Sequence, residues 1–236
     1  MMAMKVEPKA ANDDGGPVST RVATQVAAAP VAAPVELKFA DPTALGLFGL
    51  AIGCASLLPI AFGMKSALTP DAMRTAAVFC LLFGGGCQFL AGLMSFANKN
   101  MLGGTLLTTF SFNWVMNWWA LQGLVDGKPA SSAIILGVDA CFLLIFFAMT
   151  YAFGFYAKVL VVFLVDIDLI YGMRIARDLL HAPATFALPI ALATLVLMGL
   201  SLYIAVALVL VNASGKSVLP MGGPLFKAAP GAAPGH

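Results

Sequence analysis

Thr105, Thr109, Asn113 and Asn117 recur every four residues inside an apolar run, with Thr108 and Ser111 beside them. On a helix that spacing puts the four on one face. Hydroxyls and amides on one face of a membrane-length helix make either a wet path for a polar solute or a hydrogen-bonded seam. Gln88 lies in another apolar run, on the same helical face as Gly84 and Gly92. An amide at membrane depth needs partners or water, so Gln88 is either an interhelical hydrogen bond or a donor facing a pore. Three carboxylates, Asp139, Asp166 and Asp168, also lie inside apolar runs. An Asp at the centre of a membrane helix costs about 2.5–3.5 kcal/mol, which disfavours a lipid-facing place. Positions 166 and 168 are about 200° apart around a helix, so at most one faces a given lumen and the other meets a neighbouring helix or subunit. Their functional role would be a proton relay. Arg174 and Asp178, four apart, can pair along their own helix.

The residues of most catalytic sets are missing. Glutamate occurs only at Glu7 and Glu36, and histidine only at His181 and His236. A carboxylate-bridged metal site in a helix bundle needs several of each, bis-histidine haem needs two in the membrane, and a hydrolase triad needs a His beside its nucleophile. Cys54, Cys80, Cys87 and Cys141 all fall in apolar runs without a C-x-x-C pair and read as small buried hydrophobes. No enzyme, metal or cofactor is expected. The net charge of +2 is not gathered into blocks, which argues against nucleic acid.

These residues sit in a chain of 236, 61% hydrophobic and 10% charged, against about 25% charged for an average soluble domain. The composition indicates an all-α polytopic membrane protein. Six apolar segments stand out, at 43–64, 75–97, 103–123, 132–154, 158–180 and 185–211. Each has about 20 residues or more, enough for a helix to cross a hydrocarbon core of about 30 Å. Barrel-type alternation is absent, and helices are the only economical way to satisfy the backbone of such segments in lipid. The short connections carry charge, as at Lys65, Asp71 and Arg74, at Lys99, and at Asp126 and Lys128. Asp41-Pro42 suits a helix start, Gly46, Gly49 and Gly53 form a strip for close approach, and Pro59 should kink the first helix. Trp118 and Trp119 suit interfacial anchoring, with Trp114 deeper and packed. The expected organisation is a disordered tail over 1–40, which lacks the apolar core of a cleaved leader, a six-helix domain over 41–215, and a loose tail over 216–236. Six crossings put both termini on one side. The flanking cations divide evenly between the two sides, so charge alone does not orient the chain.

Four motifs then appear in order. Asp41-Pro42-Thr43-Ala44-Leu45-Gly46-Leu47 opens the first helix, and Gly84-Gly85-Gly86-Cys87-Gln88-Phe89-Leu90-Ala91-Gly92 lies in the second. Asn100, Gly103, Thr105, Thr108 and Trp114 follow, and Gly215-Lys216-Ser217-Val218-Leu219-Pro220-Met221-Gly222 closes the last helix. The ordered set resembles the acetate/succinate transporter family (AceTr, YaaH-type), in which the same places read N-P-A-P-L-G-L, G-G-x-x-Q-x-x-A-G, N-x-x-G-x-T-x-x-T and G-R-x-V-L-P-x-G. The resemblance implies six helices per subunit, a pore through each, a homohexamer in the cell membrane with cytoplasmic termini, and movement of acetate, often succinate, linked to protons as symport. It also implies a pore constriction of Phe, Tyr and Leu from helices 1, 3 and 5. By motif position these places are taken here by Leu50, Phe110 and Ile167. Phe110 lacks the usual hydroxyl, Asp41 stands for an Asn at the entrance, and Ser95 stands for a Glu.

A small carboxylate needs a few donors in an apolar tube and a constriction that passes it largely dehydrated. Asp41, Gln88, Thr105, Thr108 and Asn113 form the expected substrate path, with Leu50, Phe110 and Ile167 as constriction and Asp139, Asp166 or Asp168 as relay. The one basic residue well inside a segment, Arg174, lies near its end. No fixed anion trap is expected, which suits weak binding or passage of the protonated acid. Two other functions remain open: carriage of another small solute, neutral or cationic, and a non-transporting membrane scaffold or sensor.

Overall fold

The computed structural model describes residues 39–227, so the expected tail over 1–40 falls outside it except for residues 39 and 40. Those residues are all-helical or irregular, with six long helices: α1 Thr43–Ala61, α2 Pro70–Ala97, α3 Met101–Val125, α4 Ser132–Phe153, α5 Lys158–Leu179 and α6 Pro183–Ser214. They match the six apolar segments with shifted ends, and local chemistry explains the shifts. α1 stops three residues early because Gly63 turns the chain at φ +69°, a region costly for other residues. α2 starts five residues early because Pro70 occupies its first turn and the Thr69 hydroxyl accepts from the Ala72 amide at 3.3 Å. α6 begins at Pro183 and ends at Gly215, whose φ of +68° closes the helix in the left-handed region. The Asp41 carboxylate accepts from the Thr43 amide at 2.9 Å and its hydroxyl at 2.6 Å, so it holds the turn before α1, although the helix starts at Thr43 with Pro42, not Asp41, at the cap position.

Four of these helices, α1, α2, α4 and α6, are long and apolar enough to cross a membrane. The other two are the polar ones. α3 carries the Thr/Asn stripe, and α5 carries Lys158, Asp166, Asp168, Arg174, Arg177 and Asp178.

α1 packs along α6 and against the middle of α2, α3 packs on the second half of α2, α4 lies on α5, and α5 on α6. The contact between α3 and α4 is slight and is made through rings: Phe110 meets Phe146 edge-on at 5.2 Å. At the centre of α2, Cys80–Cys87 widens into a π-helical stretch that includes the three consecutive glycines. There the backbone approaches its neighbours closely. A Cβ on Gly49 would meet the Phe83 carbonyl oxygen at 2.5 Å, and one on Gly84 would run into the Trp114 ring. The glycine strips thus serve helix packing, and Trp114 is buried as expected of a packed residue.

The tail after α6 departs from expectation. Residues 216–227 are held rather than loose. The amides of Lys158 and Val159 donate to the carbonyls of Gly223 and Met221 at 3.1 and 3.2 Å, and those of Leu225 and Phe226 donate to Gly154 at 2.7 and 2.9 Å. The Tyr203 hydroxyl donates to the Pro220 carbonyl at 2.8 Å. The cause lies at the start of α5, where Ala157 offers no side-chain cap. Its first amides are orphans, and the returning chain supplies their acceptors.

Candidate functional site

α1, α3, α5 and α6 each turn one stripe toward a shared cavity of about 370 Å3. α3 contributes Phe110, Asn113, Trp114 and Asn117, and α5 contributes Ile167, Ile170, Tyr171, Arg174 and Arg177. The steps of three and four residues are those of a single helical face. α1 adds Cys54, Leu57 and Ala61, and α6 adds Ile190, Thr194 and Leu197. The volume lies in the range of small-ligand sites, about 300–1,000 Å3.

The part of the cavity wall around Cys54, Phe110, Trp114 and Ile167 is apolar. Cβ atoms on Gly46 and Gly53 would meet Leu107 at 2.8 Å and Trp114 at 2.9 Å. Both contacts join α1 to α3 at the same offset of 61 positions, so the helices run parallel and Leu50 falls level with Phe110. Across the cavity the partners of α4 and α5 descend in opposite order: Asp139 with Arg174, Phe146 with Tyr171, and Thr150 with Asp168. Phe110 on Phe146 therefore stands about one turn above Ile167. Leu50, Phe110 and Ile167, at 0%, 4% and 1% exposure, all belong to the buried core, and the last two floor the cavity.

The other end is polar, and its charge is of one sign. Among the described residues, Arg174 and Arg177 are the only charged side chains on the cavity wall. Their partners stand behind them. Arg174 Nε donates to Asp139 Oδ2 at 2.9 Å, linking α5 to α4, and Arg177 Nε donates to Asp178 Oδ1 at 2.7 Å. The same-helix pair read from the sequence, Arg174 with Asp178, is replaced by these two, because Asp139 is buried on the facing helix and needs a cation there. The guanidinium of Arg174 lies 5.4 Å from the Tyr171 ring centre, a cation–π distance. No fixed anion trap is expected from the sequence; the rim nonetheless places two basic side chains on the cavity wall.

The expected path residues are dispersed. Asn113 is in the cavity wall, and its carbonyl accepts from the Asn117 amide at 2.9 Å. Gln88 and Thr108 lie in the α2–α3 seam instead, where a Cβ on Gly92 would strike the Thr108 hydroxyl. Gln88 Oε1 and Thr108 Oγ1 are buried without a partner among the described residues. Thr105 is half-buried, five residues before Phe110 and beyond the floor, and Asp41 is exposed at the start of α1. Of the aspartates, Asp139 belongs to the Arg174 pair, Asp168 accepts from the Thr150 hydroxyl at 2.6 Å, and Asp166 Oδ2 is buried with no partner among the described residues. Tyr171, Arg177 and Thr194 were missed as wall residues. The signal for Tyr171 was present: a hydroxyl-bearing ring three residues before the one arginine well inside an apolar run.

Comparison with known proteins adds the family. The GPR1/FUN34/yaaH family matches residues 24–170. A protein of Yarrowia lipolytica (strain CLIB 122 / E 150) described as glyoxylate pathway regulator is 31% identical over 85 residues, 36% of this chain. That match spans only 30% of the relative's length. Among solved structures, the one described as the bacterial acetate channel SatP superposes with a TM-score of 0.69 at 20% identity, over 78% of this chain and 100% of that one. The likeness is one of fold. With its apolar helices, it makes this chain a multi-pass membrane protein.

Proposed function

The chain belongs to the GPR1/FUN34/yaaH family, and on that premise we propose that it is a channel or transporter for small monocarboxylates, acetate foremost. The observation that carries this reading is the cavity itself, with an apolar floor and a wall whose charges are both cationic. An anion enters among donors, is stripped of water, and meets a constriction of Leu50, Phe110 and Ile167.

An unpaired charge in apolar surroundings is costly. Passage as the neutral acid therefore has the lower barrier, and proton-linked symport follows if a carboxylate hands on the proton. Asp166 is the best placed of the three aspartates, next in sequence to the floor residue Ile167 and with a buried oxygen left unpartnered. Asp139 and Asp168 are the alternatives, each already engaged. Asn113 supplies a donor above the floor and Thr105 a polar group below it, while Gln88 and Thr108 stay in the α2–α3 seam, off the cavity. Asp41 marks the opposite mouth. All six helices cross the bilayer of the cell membrane, with α3 and α5 turning their polar faces inward, and both termini are cytoplasmic. The subunits assemble as a homohexamer, and succinate shares the path.

A second reading is favoured by Asp166 alone. A buried carboxylate beside the floor also suits a small neutral or cationic solute. The experiment that separates the two is uptake of labelled acetate into proteoliposomes, with and without an inward proton gradient, competed by succinate and by acetamide. Saturable uptake, enhanced by the gradient and insensitive to acetamide, supports the carboxylate reading. Uptake equal to that of empty liposomes, by folded protein, overturns it.

A further inference from the structure

We propose that the cavity rim is a carboxylate docking site formed by the guanidiniums of Arg174 and Arg177, with Asp139 as the positioning residue that aims Arg174. The inference rests on the small-anion reading above and names the groups that capture the anion.

The two arginines are three residues apart on α5, so both project from the same face, and both line the cavity. Their carboxylate partners do not line it: Asp139 is 1% exposed, and Asp178 opens on a separate surface pocket on the other side of Arg177. A guanidinium carries five N–H donors in a planar fork. The bond to Asp139 uses Nε of Arg174, which leaves the terminal nitrogens for a second acceptor. Arg177 has the same arrangement, with Nε on Asp178. Arginine can serve a structural carboxylate and a substrate carboxylate at once, from two edges of one plane. A lysine presents a point charge with no second edge.

Two further contacts fix the aim. The Tyr171 ring lies beneath Arg174 at 5.4 Å, and the Tyr171 hydroxyl is buried without a partner among the described residues, on a residue that lines the same cavity. The Asp partners also set the strength of the site. Each guanidinium is partly neutralised from behind, so an anion is held by directed hydrogen bonds rather than by full net charge. Such binding favours entry without preventing release, as conduction requires. The recognised chemistry is a planar carboxylate. A neutral isostere such as acetamide offers no second anionic oxygen for the fork.

The test is equilibrium binding of labelled acetate to the full-length protein in detergent, run beside uptake into vesicles. Arg177→Gln is the first variant, since its partner lies on the same helix and is not deeply buried. The second replaces Arg174→Gln and Asp139→Asn together, which removes the charge without leaving either partner ionised alone. Elution volume and thermal unfolding establish that each variant is folded. We expect the affinity for acetate to fall at least about tenfold in each, the scale of a lost charge-assisted hydrogen bond, with acetamide failing to compete in the wild type. The single change Arg174→Lys should weaken binding comparably, because the charge is kept and the fork is lost. Wild-type affinity in Arg177→Gln or in the folded double variant overturns the proposal, as does wild-type protein that binds no acetate. Vesicle uptake separates this from the broader reading. Uptake that persists while variants bind normally sinks the docking site and leaves transport standing. Arginine-dependent binding with no uptake does the reverse.

Discussion

Arg174 Nε lies 2.9 Å from Oδ2 of Asp139, thirty-five positions earlier in the chain, and joins α5 to α4 beside the cavity. The carboxylate is almost fully buried and the guanidinium one-fifth exposed. The pair therefore has one edge engaged with α4, while the arginine also lines the cavity.

Breaking it from one side should destabilise more than removing it whole. Arg174→Ala leaves Asp139 buried without its partner, a loss of about 3 kcal/mol at the lower end for buried pairs, since the arginine is partly solvated. The combined Arg174→Gln and Asp139→Asn replacement should lose less than half as much. Thermal unfolding in detergent measures both. Equal losses would mean that the pair is solvated in the native protein.

Trp114 fills the space left by two glycines. A Cβ on Gly84 would overlap its ring, and one on Gly53 would approach it at 2.9 Å. Gly84→Val should therefore cost about 1–3 kcal/mol as overpacking and shift the fluorescence of the displaced tryptophan. Gly199 has nothing within 4 Å of an added Cβ, so Gly199→Ala should stay within about 0.5 kcal/mol of wild type. A harmless Gly84→Val would show that the ring is not wedged there.

The returning chain after α6 caps α5, with Phe226 packed against Gly154, Tyr151 and Phe155. Truncation after residue 216 removes the acceptors of the Lys158 and Val159 amides. Amide exchange at these two positions should quicken, with stability falling by about 1 kcal/mol for each lost bond. Unchanged exchange at Lys158 and Val159 would mean that other groups cap the helix.

The helices were legible because membrane-length apolar runs leave few alternatives. Their ends were less so, as Pro70 and Gly63 show: caps and turns depend on one residue, while periodicity averages over many. The site was legible in part. Leu50, Phe110 and Ile167 all belong to one buried core cluster, and Phe110, Ile167 and Asn113 line the cavity. Gln88 and Thr108 do not, because the polar groups of α2 and α3 face one another across a glycine seam, and a stripe on one helix does not say which neighbour it meets. Arg174 taught the same lesson. Spacing along its own helix offered Asp178, but the burial of Asp139 on a facing helix decided the pairing, and that is a tertiary fact.

On the proposed function, acetate crosses through this cavity and passes Phe110. The direct measurement is the initial rate of labelled-acetate uptake into proteoliposomes by wild type, Phe110→Ala and Phe110→Trp, each shown to be folded and equally incorporated. Phe110→Ala should lose about 3 kcal/mol of stability yet raise the rate by widening the floor, and Phe110→Trp should lower it. Three equal rates above those of empty liposomes would place the path elsewhere, and no uptake by any of the three would rule out acetate transport by this protein.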